Sequence, residues 1–168
     1  METNGFTVTD HGTKVSLHLE RALRLIGTNE KGQETAFDTS VKGGGSDTAA
    51  SPMETVLEAV AACMAMDVIP ILRKRRKTIT DFSVHLTGER AATHPRVFTK
   101  IAMQIELVSP DVTMEELTHA LELSETTYCS VSAMLRRSGC EIAWEAVLKD
   151  SHDGAVQRAR SDIHHILN

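Results

Sequence analysis

The chain has 168 residues, 41% hydrophobic and 24% charged, with a formal net charge of -5 at neutral pH. That length supports one hydrophobic core, the balance is that of an ordinary globular domain, and the acidic excess counts against a dedicated nucleic-acid binder. Three widely spaced cysteines do not make a secreted disulfide framework. The opening METNGFTVTD has no basic-then-apolar leader pattern, and no apolar run is read as approaching the roughly 18 residues of a membrane span. The expectation is a cytoplasmic protein without a membrane partner.

In chain order, Val15, Leu17, Leu19, Leu23 and Leu25 alternate with polar residues, so 14–26 reads as a strand with one buried face. Arg21 falls on that apolar face, where a charge needs a partner or a task; alternatively a bulge near residues 20–22 turns it outward. A turn at 28–32 leads to a return strand at 33–39. Residues 40–50 form a glycine-rich loop that lacks the G-K-[ST] of a phosphate loop.

Residues 51–77 read as a long helix around which the rest is arranged. Ser51 and Glu54 form a capping box with Pro52 at the first helical position. Met53, Leu57, Val60, Met64, Val68 and Leu72 share one face. The opposite side carries Ala59, Ala62, Met66 and Ile69, with Glu58 and Asp67 the sole charges between Thr55 and Ile69. A helix apolar nearly all round must be covered on most sides, which implies a sheet on one side and a second subunit on the other. Pro70 is expected to kink or interrupt it.

Strands are then expected at 78–89, with Phe82, Val84 and Leu86 on one face, and at 96–108, where Val97, Thr99, Ile101, Met103, Ile105 and Leu107 alternate with the other face. Thr113 and Glu116 make a second capping box, opening a helix with Leu117, Ala120 and Leu121 inside. A short helix spans about 128–137. A final strand places Cys140, Ile142, Trp144, Ala146 and Leu148 on one face. Residues 1–150 are thus expected to form a single domain, and 151–168 an appended amphipathic helix.

Cys63 is a small helical hydrophobe or a reactive thiol. Cys129 begins a helix, where unsatisfied N–H groups favour thiolate; Cys140 reads as packing. No C-x2–4-C or H-x3–5-H pair is present, so no metal and no cofactor is expected. The basic run of residues 73–77 is a solvated helix end or, alternatively, a phosphate contact.

SPMETVLEAVAACMAMDV and LSETTYCSVSAML together resemble the two signature segments of the OsmC-like family, which includes the organic hydroperoxide resistance proteins. The likeness is greatest to its uncharacterised YhfA-like branch and covers about residues 14–148. It implies an α+β fold with antiparallel sheets packed around a long central helix, in an intertwined homodimer. It further implies that Cys63 is the peroxidatic cysteine and Cys129 the resolving one. A hydroperoxide would be the substrate and an external dithiol the reductant. Burial disfavours thiolate, so a fixed cation is needed; Arg21 is assigned that role, with Arg24 second. The family pattern has glutamate directly after the proline, where this chain has Met53. Glu54 is one residue late and off the Cys63 face, and Asp67, one turn after Cys63, opposes a thiolate rather than helping it. The alternatives are a dimeric small-molecule-binding or redox-sensing protein with little turnover, and an interaction module using the basic run and the tail.

Overall fold

The computed structural model describes residues 12–161. The chain divides into two compact units, Met1–Thr55 and Val56–Asn168. In the first, β1 (Val15–Arg21), β2 (Arg24–Asn29) and β3 (Glu34–Phe37) form an antiparallel sheet in that order. The single strand expected at 14–26 is therefore a hairpin, because Ala22 turns the chain with a φ of 46°. The register shifts between Leu19 and Arg21, which is the bulge weighed for this segment, and Arg21 is exposed. The apolar residues of β1 are not buried as expected: Val15, Leu17 and Leu19 are 75%, 58% and 61% exposed.

The loop after β3 is built on Asp38, which is buried and accepts hydrogen bonds from the Thr48 hydroxyl at 2.7 Å and from the backbone N–H groups of Thr39, Ser46 and Thr48. Gly45 belongs to this wrap. A Cβ there would lie 2.1 Å from the Thr39 carbonyl oxygen and 2.6 Å from Asp38 Oδ1, so no side chain fits. The glycine run serves a backbone crossing.

α1 (Pro52–Lys74) starts in the first unit and continues into the second. Its capping box is present: Glu54 Oε2 accepts from Ser51 N–H at 2.7 Å, and Ser51 Oγ accepts from Glu54 N–H at 3.4 Å. The helix runs through Pro70 without interruption. Proline deprives the carbonyl of Met66 of its donor, and Met66 is 74% exposed, so water can replace it. The buried stripe is Val60, Met64, Val68 and Leu72. By length and composition α1 could cross a membrane, which corrects the reading that no stretch approaches that length. That stripe, fully buried in the chain's own core, accounts for one side of the apolar surplus.

The second unit holds β4 (Asp81–Arg90), β5 (Phe98–Ser109), α2 (Met114–Leu123), α3 (Ser130–Arg137), β6 (Glu141–Asp150) and β7 (Val156–Arg160). The sheet order is β4-β5-β6-β7. The sheet is mixed rather than antiparallel throughout, because β5 and β6 run parallel. The two helices between them carry the chain back to the starting end, as a parallel pair requires. Rows such as Leu86–Met103–Trp144 and Val84–Ile105–Ala146 line the core face. At the start of β5, Phe98 is buried and Val97 exposed, the reverse of strict alternation, because the register shifts at Glu89–Arg90. Gly88 makes room for the Phe98 ring, whose nearest atom would lie 2.5 Å from a Cβ. The C-terminal helix expected from residue 151 is corrected in part: Val156–Arg160 is a strand on the edge of β6. The rest of that expected helix, 162–168, lies outside the described residues.

Hydrogen bonding, first from Thr48, holds the Asp38 carboxyl far below the ordinary carboxylate range, despite the opposing effect of burial. A depressed carboxyl contributes stability above its unfolded value, near 3.9, and loses it as pH falls through the folded value. Asp38→Asn should therefore destabilise the protein at pH 7, and its deficit against wild type should narrow below about pH 4. Urea unfolding at pH 7 and in acid checks this; equal stability at pH 7 would refute the loop's dependence on Asp38.

Candidate thiol site

Cys63 and Asp67 stand one turn apart on α1, and i,i+4 spacing puts both side chains on one face. The Sγ of Cys63, a carboxylate oxygen of Asp67 and the Sγ of Cys129 all lie within 4.8 Å of one another. The two cysteines are thus brought together from distant parts of the sequence, both as free thiols. Cys63 is half-buried, whereas Cys129 is 2% exposed.

Cys129 reaches this place through a feature that the sequence did not signal. Between α2 and α3, residues Ser124–Tyr128 form a π-helical turn, closed by the Cys129 N–H donating to the Ser124 carbonyl at 2.8 Å. π turns of this kind are rare and concentrate at functional sites. Ser124 is fully buried, and its hydroxyl donates to Asp67 Oδ2 at 2.9 Å. One serine therefore fixes both the backbone that presents Cys129 and the carboxylate that follows Cys63.

Cys129 is the N-cap of α3, as its position at a helix start implies, and its sulfur accepts from the Ser132 N–H at 3.5 Å and from the Ser132 hydroxyl at 3.1 Å. The expectation that the helix start favours thiolate there is corrected. Burial pushes the Cys129 thiol up, outweighing the two hydrogen bonds from Ser132, and Cys63 beside it adds in the same upward direction. Cys129 is held as a neutral thiol.

The π turn is braced from below. The Glu125 carboxylate receives the Trp144 indole N–H at 2.7 Å and pairs with Arg136, whose side chain is 16% exposed against 6% for Glu125. Arg136 also donates to the Ile142 carbonyl, while its buried Nε has no partner among the described residues. An open cleft of about 300 Å³ beside this turn is lined by residues including Thr127, Tyr128, Cys129 and Met134.

Cys140, the third thiol, is not a member of this cluster. Cys140 is buried with its thiol 3.6 Å from the Glu141 carbonyl, and burial pushes that thiol up. Glu54 is occupied by the Ser51 cap. In the first unit, Arg24 is bound to Glu20 at 2.6 Å and to Thr48, while Arg21 has no hydrogen-bond or ion-pair partner among the described residues.

The family profile of OsmC-like proteins matches residues 43–145. The chain is 37% identical over 116 residues to Protein YhfA of Escherichia coli K12, an overlap covering 69% of this chain and 84% of that protein. An OsmC-like protein from Mycoplasma pneumoniae has the same fold, with a TM-score of 0.70 at 17% identity over 83% of this chain and 99% of its own. An organic hydroperoxide resistance protein OsmC from Legionella pneumophila matches more loosely, with a TM-score of 0.55 at 16% identity over 86% of this chain and 99% of its own.

Removing one partner of the buried Glu125–Arg136 pair leaves a charge uncompensated. Glu125→Ala should cost about 3–5 kcal/mol, and Trp144→Phe, which deletes one hydrogen bond to a carboxylate, roughly 1.5–3 kcal/mol. Urea midpoints of the two variants measure the contrast; a larger loss from Trp144→Phe would mean that indole packing, not the carboxylate, holds the turn.

Proposed function

The chain belongs to the OsmC-like family, and from that premise we propose that it is a thiol-dependent peroxidase acting on organic or small hydroperoxides in peroxide defence. The observation that carries this reading is the approach of Cys63 Sγ and Cys129 Sγ to within 4.8 Å, with unequal burial. Cys63, the more open sulfur, meets peroxide first. Its thiolate attacks the terminal oxygen, the O–O bond breaks, and the alkoxide takes a proton to leave as an alcohol, giving a sulfenic acid at Cys63. Cys129, kept as a thiol by burial, then displaces water from that sulfenic acid to form the Cys63–Cys129 disulfide. An external dithiol reopens it by exchange and is itself oxidised to a disulfide. A cycle that spends reduced dithiol suits a reducing compartment, and a cytoplasmic location is proposed on that ground.

Arg21 is proposed as the cation that favours the Cys63 thiolate. Supporting it over Arg24 is that Arg24 is already committed to Glu20 and Thr48. The alternative, a redox-sensing or ligand-binding protein with little turnover, draws on one observation: a carboxylate, Asp67, sits among the sulfur atoms.

Peroxide consumption with a supplied dithiol separates the two. Cys63→Ser should abolish turnover, Cys129→Ser should leave a single reduction per chain, and Arg21→Met should slow alkylation of Cys63 more than Glu54→Gln does. Consumption undiminished in Cys63→Ser would remove the peroxidase reading.

We also propose an intertwined homodimer in which α1 packs around the second subunit. Each unit exposes apolar surface of its own: Val15, Leu17 and Leu19 in the first, Ala59, Ala62 and Met66 along α1 in the second. Patches of this kind are aggregation liabilities unless covered. The mass in solution at micromolar concentration should be that of two chains, and Met66→Glu should lower it; a soluble wild-type monomer would count against the dimer.

A further inference from the structure

We propose that Cys63, Asp67 and Cys129 form a binding site for a soft divalent transition metal, with zinc the natural occupant. Sequence spacing gave no such indication, because the donors come from one helical turn of α1 and from the end of the π turn far along the chain. Their ligand atoms already lie within 4.8 Å of one another. Zinc holds sulfur at about 2.3 Å and carboxylate oxygen at about 2.0–2.2 Å, so donors on one tetrahedral ion stand roughly 3.5–4 Å apart. Small side-chain rotations close that difference. Two sulfur donors with one carboxylate select zinc or a similar ion over magnesium and calcium, which take oxygen.

The surroundings are those of a ligand set rather than of an incidental cluster. Metal-bound carboxylates and thiolates are themselves held by outer hydrogen bonds. Here the buried Ser124 hydroxyl donates to Asp67 Oδ2, and Ser132 donates to Cys129 Sγ through both its N–H and its hydroxyl. Three protein donors leave a fourth position for water or a small ligand, the arrangement of an open zinc site. Cys63 and Asp67 are each only half-buried, so an ion can reach them. Binding one ion forms two sulfur–metal bonds and releases the two thiol protons to solvent, with no change of oxidation state. A metal-bound sulfur is a weaker nucleophile towards peroxide and cannot at once form the Cys63–Cys129 disulfide, so occupancy should suppress turnover; that consequence rests on the peroxidase reading, whereas the binding does not.

The test is titration of the full-length, reduced, metal-free protein with Co²⁺, followed by Zn²⁺. One Co²⁺ per chain should produce a near-ultraviolet sulfur-to-cobalt band and the intense visible bands of tetrahedral cobalt, all displaced by Zn²⁺. The bands should vanish in Cys63→Ser and in Cys129→Ser, and Ser124→Ala should weaken binding about 10–100-fold. Zinc should also protect Cys63 and Cys129 of the wild type from maleimide without altering Cys140, a readout that needs no variant to fold. Absence of the sulfur band in folded wild type, its persistence in Cys63→Ser, or protection of Cys140 instead would overturn the site. Zinc binding by a protein that consumes no peroxide even when metal-free would uphold the site and remove only the peroxidase reading.

Discussion

The buried Ser124 hydroxyl donates to Asp67 across 2.9 Å, while the carbonyl of the same residue accepts the N–H of Cys129. These two bonds join a helix from the middle of the chain to a turn more than two sheet strands later. Neither group could be left unpaired in a buried position without a cost of about 1–3 kcal/mol, so the two elements are held in one register. The thiol pair depends on that register. Cys63 is placed by one turn of α1 relative to Asp67, and Cys129 by the π turn relative to Ser124. Glu125, Arg136 and Trp144 then fix the turn to β6.

Burial distinguishes the two sulfurs. Cys129 is inside and kept as a neutral thiol, with Ser132 donating to its sulfur; Cys63 is accessible from solvent. On the proposed peroxidase reading that difference matters, because a pair equally open would offer peroxide two targets and leave no thiol in reserve for the sulfenic acid. The same triad of sulfur, sulfur and carboxylate suits a soft metal ion as well as it suits a disulfide, since both need donors brought within a few ångströms and held there by outer hydrogen bonds.

Much of this was legible in the sequence because local signals and the fold agree. Both capping boxes, the β4–β5 hairpin and the inward row of β6 follow from spacing and periodicity that tertiary packing did not overrule, and the α+β class from the resemblance carried by the two cysteine segments. The two cysteine segments identified the family because they lie where α1 and the π turn meet. What was not legible depends on contacts between remote residues. The parallel pairing of β5 with β6 is decided by two intervening helices acting as a crossover, not by either strand's own pattern. The π turn carries no sequence mark, since Ser124, Glu125, Thr126, Thr127 and Tyr128 would also continue an ordinary helix. Cys129 was rightly placed at a helix start, but the burial that reverses the effect of that position comes from the rest of the unit. Val156 and Ala159 fit the helical spacing expected of the tail, and the strand Val156–Arg160 is decided instead by the free edge of β6, which the sequence does not show.

The central claim is that Cys63 and Cys129 act as one redox unit. The most direct measurement is non-reducing peptide mapping of the reduced protein after one equivalent of hydroperoxide, compared with the same protein after a dithiol is added back. The account predicts a single new linkage, Cys63 to Cys129, that disappears on reduction. A dominant linkage to Cys140, or Cys63 driven to sulfinic acid with Cys129 still free, would contradict it.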